Sequence, residues 1–304
     1  MKSKSNLKLT EGYHYADISE GITLHYKVSG KGPVCLFPTP GWGPSIELYT
    51  TSMKSMEKHF TIVWYDTRIT GESTGPEDSL KYTSKDFVDD LEALRVYFEL
   101  DKMWIMGQSG GAYQVLNYGI LHNDRLNGII AISSTAGRDS ISGEEFMKNI
   151  SRLAQNPDLE EGTSIFMGKD TTKYTLVEKL GKILPLYFHD QQKIADFKRV
   201  TAETTYSEKA FDYTNASKNG SEILFPLLNQ ITVPTLIVVG DDDFICDKQS
   251  QSDRIHEQIT SSTLITIKDA GHFCWIEQPL TYFAAVDKWI IKQTGSNQVF
   301  LTNA

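Results

Sequence analysis

Cysteine is scarce in this chain of 304 residues, with Cys35, Cys246 and Cys274 the only three. Thiols so few and so far apart exclude a disulfide-stapled scaffold and a Cys-x-x-Cys metal knuckle, and they predict reduced side chains. Long apolar runs are also missing. The most apolar stretches, such as Gly128-Ile129-Ile130-Ala131-Ile132, have strand length and fall well short of the roughly 18–20 residues that cross a bilayer. The basic start Met1-Lys2-Ser3-Lys4 leads into Leu7-Lys8-Leu9-Thr10-Glu11 and not into a signal-peptide core, so a cytoplasmic protein without membrane association is expected. Positive charge is in deficit, 30 Lys and Arg against 39 Asp and Glu, for a net charge of -9. That balance repels phosphate backbones, which disfavours nucleic-acid partners, and it suits neutral or cationic small substrates. Neither glycine-rich turn has the Gly-x-Gly-x-x-Gly form and no His/Cys/Asp spacing resembles a ligand set, so no cofactor and no metal are expected.

Against these absences, hydrophobic residues make up 40%, aromatic residues 11% and charged residues 23%, which supports a full core and excludes disorder for most of the chain. At roughly 100–200 residues per domain the length allows one large domain or two ordinary ones. Strand-like runs at 22–28, 34–37 and 60–65 are separated by turn residues. From Ser84 to Leu100 the apolar residues Phe87, Leu91, Leu94 and Tyr97 take up helical spacing, with Ser84 as the expected N-cap. A buried strand at 103–106, a helix over 109–122 and a strand at 126–133 follow. Strand and helix in alternation imply a parallel sheet with right-handed crossovers. The rhythm stops near Gly137 and resumes at 233–240, with a helix near 248–259, a strand at 264–267 and a helix over 277–292. Residues 138–228 read as a helical insertion, on the spacing of Phe146, Ile150 and Leu153 and of Leu176, Leu180 and Ile183. The polar ends, 1–8 and 295–304, are expected to be mobile.

Gly-x-Ser-x-Gly occurs twice, at Gly71-Glu72-Ser73-Thr74-Gly75 and at Gly107-Gln108-Ser109-Gly110-Gly111. A nucleophile elbow needs a strand running into the first glycine and a helix leaving the last, and only the second copy has both. Ser73 is followed by the turn composition Pro76-Glu77-Asp78-Ser79 and reads as a loop residue. A serine needs a base oriented by an acid, and both occur downstream just past strands: Asp243 after 236–240 and His272 after 264–267. The order Ser109, Asp243, His272 suits nucleophilic acyl transfer, with Ser109 attacking, His272 moving the proton and Asp243 holding the imidazole. The backbone N–H of Gly110, next after the nucleophile, is a candidate oxyanion donor.

These segments resemble the alpha/beta-hydrolase superfamily along nearly the whole chain. Pro40-Gly41-Trp42-Gly43 resembles its oxyanion loop, Asp66-Thr67-Arg68-Ile69-Thr70-Gly71-Glu72-Ser73 resembles its Asp-x-Arg-Gly-x-Gly-x-Ser segment, and Gly271-His272-Phe273-Cys274-Trp275 is similar to its catalytic-histidine segment. The resemblance implies an α/β fold with a mostly parallel, doubly wound sheet and an inserted helical cap. Residues 1–137 and 229–304 would form the catalytic core and 138–228 the cap. It assigns the second oxyanion donor to Trp42, which together with Gly41 is a candidate for substrate binding. The family's Gly-x-x-Asp spacing selects Asp243 from the crowd of Asp241, Asp242 and Asp247, and Arg68 would pin the oxyanion loop from behind. The subgroup most resembled is the proline iminopeptidases, serine aminopeptidases that act on short peptides. Those carry His-Gly-Gly-Pro-Gly and Gly-Gly-Ser-Trp-Gly where this chain has Pro40-Gly41-Trp42-Gly43-Pro44 and Gly107-Gln108-Ser109-Gly110-Gly111. An aminopeptidase is therefore expected first, and a carboxylesterase, lactonase or carbon–carbon bond hydrolase, or a ligand-binding receptor with a vestigial triad, stands as the alternative. Cys246 and Cys274 follow the proposed acid and base closely and are expected near the site.

Overall fold

The computed structural model describes residues 5–169, 173–216 and 222–295. Its centre is an eight-stranded sheet of β1 (Gly12–Ser19), β2 (Ile22–Gly30), β3 (Val34–Pro38), β4 (Thr61–Tyr65), β5 (Met103–Gln108), β6 (Leu126–Ile132), β7 (Thr235–Gly240) and β8 (Ser262–Ile267). The spatial order is β1-β2-β4-β3-β5-β6-β7-β8. β1 with β2 and β2 with β4 pair antiparallel, and every other pairing is parallel. Every residue of β5 and β7 is buried, as their unbroken apolar runs require when helices cover both faces. Alternation then sorts side chains between two cores. Leu36, Ile105, Ile129 and Ile237 meet Val88, Leu91 and Leu94 of the helix Ser84–Tyr97 on one face. Phe37, Trp104, Ile130 and Leu236 meet Trp275 and the helix Pro279–Thr294 through Val286 and Trp289 on the other.

All the strands and helices expected in the sheet region are present, with ends moved by up to three residues. Three local expectations change. The helix Ser84–Tyr97 is capped by Thr83, whose hydroxyl accepts from the Asp86 N–H at 3.3 Å while the Asp86 carboxylate accepts from the Thr83 N–H at 2.9 Å. Ser84 has no such reciprocal partner because Phe87, three residues on, carries no acceptor. The helix expected over 248–259 opens as a widened π turn, Lys248–Asp253, before the α-helical Arg254–Gln258. The widening brings the Gln251 amide to Ala136 and Gly137, where it accepts from the one N–H and donates to the other carbonyl, each at 2.9 Å. Residues 5–8 form a helical turn held by Lys8, whose Nζ donates to the Tyr97 carbonyl at 2.7 Å. Residues 1–4 and 296–304, the rest of the expected mobile ends, lie outside the described residues.

Between β6 and β7 the described chain carries the α-helices Ser140–Leu153, Glu160–Phe166, Leu176–Ile183, Lys193–Val200 and Glu208–Ala216. The two ends of this stretch meet, with the Leu224 N–H donating to the Ala136 carbonyl at 2.8 Å. Because β3 to β8 all run parallel, the segments after β3, β5, β6, β7 and β8 leave from one edge of the sheet. Those loops and the helices between β6 and β7 are thereby brought together.

Candidate active site

At the end of β5 the chain turns sharply at Ser109 (φ 55°, ψ −120°) into the helix Gly110–Leu121. Positive φ at a serine is costly and persists only where packing over-determines it. Here it does. A Cβ on Gly107 would run into the Gly111 carbonyl, one on Gly110 would stand 2.6 Å from the Pro40 oxygen, and one on Gly111 3.0 Å from the Pro38 oxygen. Ser109 is anchored by its N–H, which donates to the Ile132 carbonyl at 3.0 Å, and its side chain stands at the wall of a cavity. Ser73, in the other Gly-x-Ser-x-Gly, is buried in the loop after β4, where its hydroxyl donates to the Asp66 carbonyl at 2.7 Å and accepts from the His25 N–H at 2.9 Å.

Asp243 and His272 meet across the loops after β7 and β8, with His272 Nδ1 2.8 Å from Asp243 Oδ2. Burial alone would raise the Asp243 carboxyl, but the charge and hydrogen bond of His272, with the N–H groups of Cys246 and Ile245 on Oδ1, hold it below the usual carboxylate value. The crowded acidic loop sorts itself by partner. Asp241 accepts from the Ala270 N–H, Asp242 pairs with Arg152 and His189, and Asp247 accepts from the Ser250 N–H. Only Asp243 is buried against the imidazole.

The loop after β3 carries the expected oxyanion residues. Pro40 and Trp42 line the cavity with Ser109 and His272. Gly41 does not. It turns (φ +87°) behind the wall, so close that a Cβ would be 3.1 Å from Phe87 and 3.2 Å from Gln114. The loop is tied down by Asp66, one of whose oxygens accepts from the Ile46 N–H at 2.8 Å while the other meets His25 Nδ1 at 2.7 Å. Arg68, expected to pin this loop, instead forks onto Asp90 with both bonds at 2.7 Å and donates to the Asp86 carbonyl at 3.1 Å, so it pins the helix Ser84–Tyr97. The loop is also paired with the inserted stretch. Ser45 N–H donates to the Thr205 carbonyl at 3.0 Å, Ser207 N–H to the Gly43 carbonyl at 2.9 Å, and Trp42 stacks on Tyr206 with ring centres 6.1 Å apart.

The cavity measures about 300 Å³. Its remaining wall comes largely from apolar residues of the inserted helices and of the loops, including Leu48, Val177, Leu180, Leu184, Tyr187 and Phe197. Sequence reasoning missed the supports behind this wall. The Tyr187 carbonyl accepts from the His272 N–H at 2.8 Å, the Ser133 hydroxyl donates to the His272 carbonyl at 3.0 Å, and the buried Glu277 carboxylate accepts from the N–H groups of Gly271 and Asp190 at 2.6 and 2.8 Å. None of these carries a motif, because each acts through backbone groups distant in sequence. All three cysteines are buried and free. Asp243, Cys246 and His272 place one ligand atom each within 4.8 Å of one another, the one such metal-competent trio among the described residues. Burial, with Asp243 beside it, pushes the Cys246 thiol well above its ordinary value. No helix among the described residues is long and apolar enough to cross a membrane.

Residues 33–279 match the family described as alpha/beta hydrolase fold. A proline iminopeptidase of Lactobacillus helveticus is 27% identical over 243 residues, covering 75% of this chain and 79% of that protein. A putative 2-succinyl-6-hydroxy-2,4-cyclohexadiene-1-carboxylate synthase of Bacillus subtilis is 22% identical over 292 residues, covering 94% of this chain and 97% of that one. Among solved structures, an alpha/beta fold family hydrolase from Bacillus anthracis superposes with a TM-score of 0.77 at 18% identity, covering 91% of this chain and 98% of its own.

Proposed function

The chain is a hydrolytic enzyme that belongs to the alpha/beta hydrolase fold family, and from that premise we propose that Ser109, His272 and Asp243 form its catalytic triad. The observation that carries this is the convergence of a strained Ser109 and an Asp243-paired His272 on the wall of one cavity. His272 takes the Ser109 proton as Oγ attacks a carbonyl carbon, and Asp243, itself kept ionised, holds the imidazole and stabilises its charged form. The tetrahedral oxyanion is met by the backbone N–H groups of Gly110 and Trp42, held by the helix start and by the Asp66-anchored loop. The leaving group departs with the proton from His272, and water then cleaves the acyl-enzyme by the same route in reverse. Residues 138–228 act as a cap over the site, and 1–137 with 229–304 as the core.

The substrate is a small molecule or short peptide with an amide or ester bond. Kinship with proline iminopeptidases supports amide cleavage at an N-terminal residue. A second reading, cleavage of an ester, lactone or carbon–carbon bond, is favoured by a cavity on which, among the described residues, no carboxylate stands ready for a substrate ammonium. The test is labelling with a fluorophosphonate probe beside a panel of prolyl arylamides and short p-nitrophenyl esters. Labelling and turnover are expected in the wild type, with Ser109→Ala losing the label and nearly all turnover. Full turnover of every accepted substrate by Ser109→Ala would exclude the triad.

A further inference from the structure

The polar groups on the cavity wall narrow the class of substrate further, an inference that rests on the serine hydrolase reading. Among the described residues, Lys198, itself exposed to solvent, is the one Lys or Arg that lines the cavity, and neither Asp nor Glu lines it. Lys198 is also unspent. Its helix neighbours Lys193 and Arg199 both pair with Asp196, at 3.7 and 3.1 Å, while Lys198 has no partner among the described residues. Two further polar groups at this wall lack partners. Gln108 uses its carbonyl oxygen to accept from the Tyr49 hydroxyl at 2.9 Å, leaving its buried Nε2 unbonded, and the buried Thr204 hydroxyl is likewise unbonded. Buried donors without acceptors are rare because each loses its hydration for nothing, so two beside one cavity mark a wall short of acceptors.

Carboxylates do occur nearby, but in a different cavity. Glu47, Asp66, Glu72 and Glu203 line an adjoining polar hollow that shares Ala202 and Tyr206 with the one that holds Ser109 and His272. A cation entering the Ser109 cavity would meet Lys198 and no counter-charge. An anion would meet Lys198 as its counter-charge. The net charge of -9 acts against anions only at long range, where salt screens it over about 8 Å, whereas Lys198 acts at contact.

We propose that this cavity selects substrates whose apolar body ends in a carboxylate, with Lys198 as the specificity-determining cation. The apolar body packs on Trp42, Leu184 and Phe197, and the scissile carbonyl lies at Ser109.

The experiment compares three p-nitrophenyl esters on the full-length protein: the mono-ester of adipate, the hexanoate, and a trimethylammonio-terminated counterpart. The adipate ester is expected to exceed the cationic one by about tenfold or more in kcat/KM, mainly through KM. Lys198→Arg keeps that order, Lys198→Gln removes the advantage of the anion over the neutral ester, and Lys198→Glu inverts it. A lysine that serves only the dipole of its own helix end would leave all three ratios unchanged on substitution, and that result overturns the proposal. So does a wild-type preference for the cationic ester. The same comparison is made without chemistry by calorimetric binding of adipate and of the trimethylammonio acid amide to Ser109→Ala and to Ser109→Ala/Lys198→Glu. Tighter adipate binding that is lost with Lys198→Glu supports the selectivity, and its absence overturns it. Failure of the hydrolase reading would register separately, as absence of fluorophosphonate labelling at Ser109.

Discussion

Among single residues, the acid of the proposed triad shows how position outranks type. Asp241, Asp242 and Asp243 are adjacent and chemically identical, yet only Asp243 is buried and faces His272. Asp243→Asn is expected to lower kcat by about four orders of magnitude, because an amide no longer holds the imidazole in the productive tautomer. Steady-state kinetics on a substrate from the panel will read it. The depressed Asp243 carboxyl also contributes stability. A folded value below the unfolded one favours the native state at pH above the ordinary carboxylate range, and that contribution disappears as pH falls through the folded value. His25 has the opposite sign. Burial alone would lower it, but the hydrogen bond and charge of Asp66 raise it above the ordinary imidazole value. Its contribution is therefore complete below about pH 6.5 and lost as pH rises through the raised folded value. Urea midpoints measured across pH should show that neutral-range component in the wild type and not in His25→Gln.

At the scale of elements, strands and helices were readable because their patterns are local: unbroken apolar runs for β5 and β7, helical spacing for Ser84–Tyr97. What docks one element on another was less readable. Arg68 lies in a motif associated with the oxyanion loop, but its side chain crosses to Asp90 and Asp86 on a helix, and Asp66 takes the loop. Arg68→Met should cost about 3–5 kcal/mol in urea unfolding, since it strands the buried Asp90 carboxylate without a partner. Arg68→Met/Asp90→Leu should recover much of that loss, because removing both charges leaves nothing uncompensated. A single variant at Thr83, Thr83→Ala, should cost about 0.5–2 kcal/mol through the lost capping box, and Ser84→Ala much less.

At the scale of the molecule, the parallel sheet sends Ser109, the Asp243 and His272 loops and the inserted helices to one edge, and three hydrogen bonds join the loop at Gly43 and Ser45 to Thr205 and Ser207. The inserted stretch thus supplies cavity wall and also steadies the loop that presents Trp42. Tyr206→Ala removes the stacking partner of Trp42 and should lower kcat/KM severalfold with a thermal midpoint close to that of the wild type. A much lower midpoint would instead make Tyr206 a structural residue.

The sequence by itself determined the α/β architecture, the sharp turn at Ser109 and the chain order of the proposed serine, acid and base. Each of these is a local pattern: a period of two or of 3.6, or small residues around a serine, set by backbone geometry within a few positions. Only the tertiary structure decided which aspartate meets the histidine, that Gly41 stands behind the wall, that Asp66 and not Arg68 holds the loop after β3, and that, among the described residues, Lys198 is the one Lys or Arg lining the cavity. Those outcomes turn on side-chain direction and burial between segments far apart in the chain, and such pairings leave no periodic signal because each is satisfied once, in space.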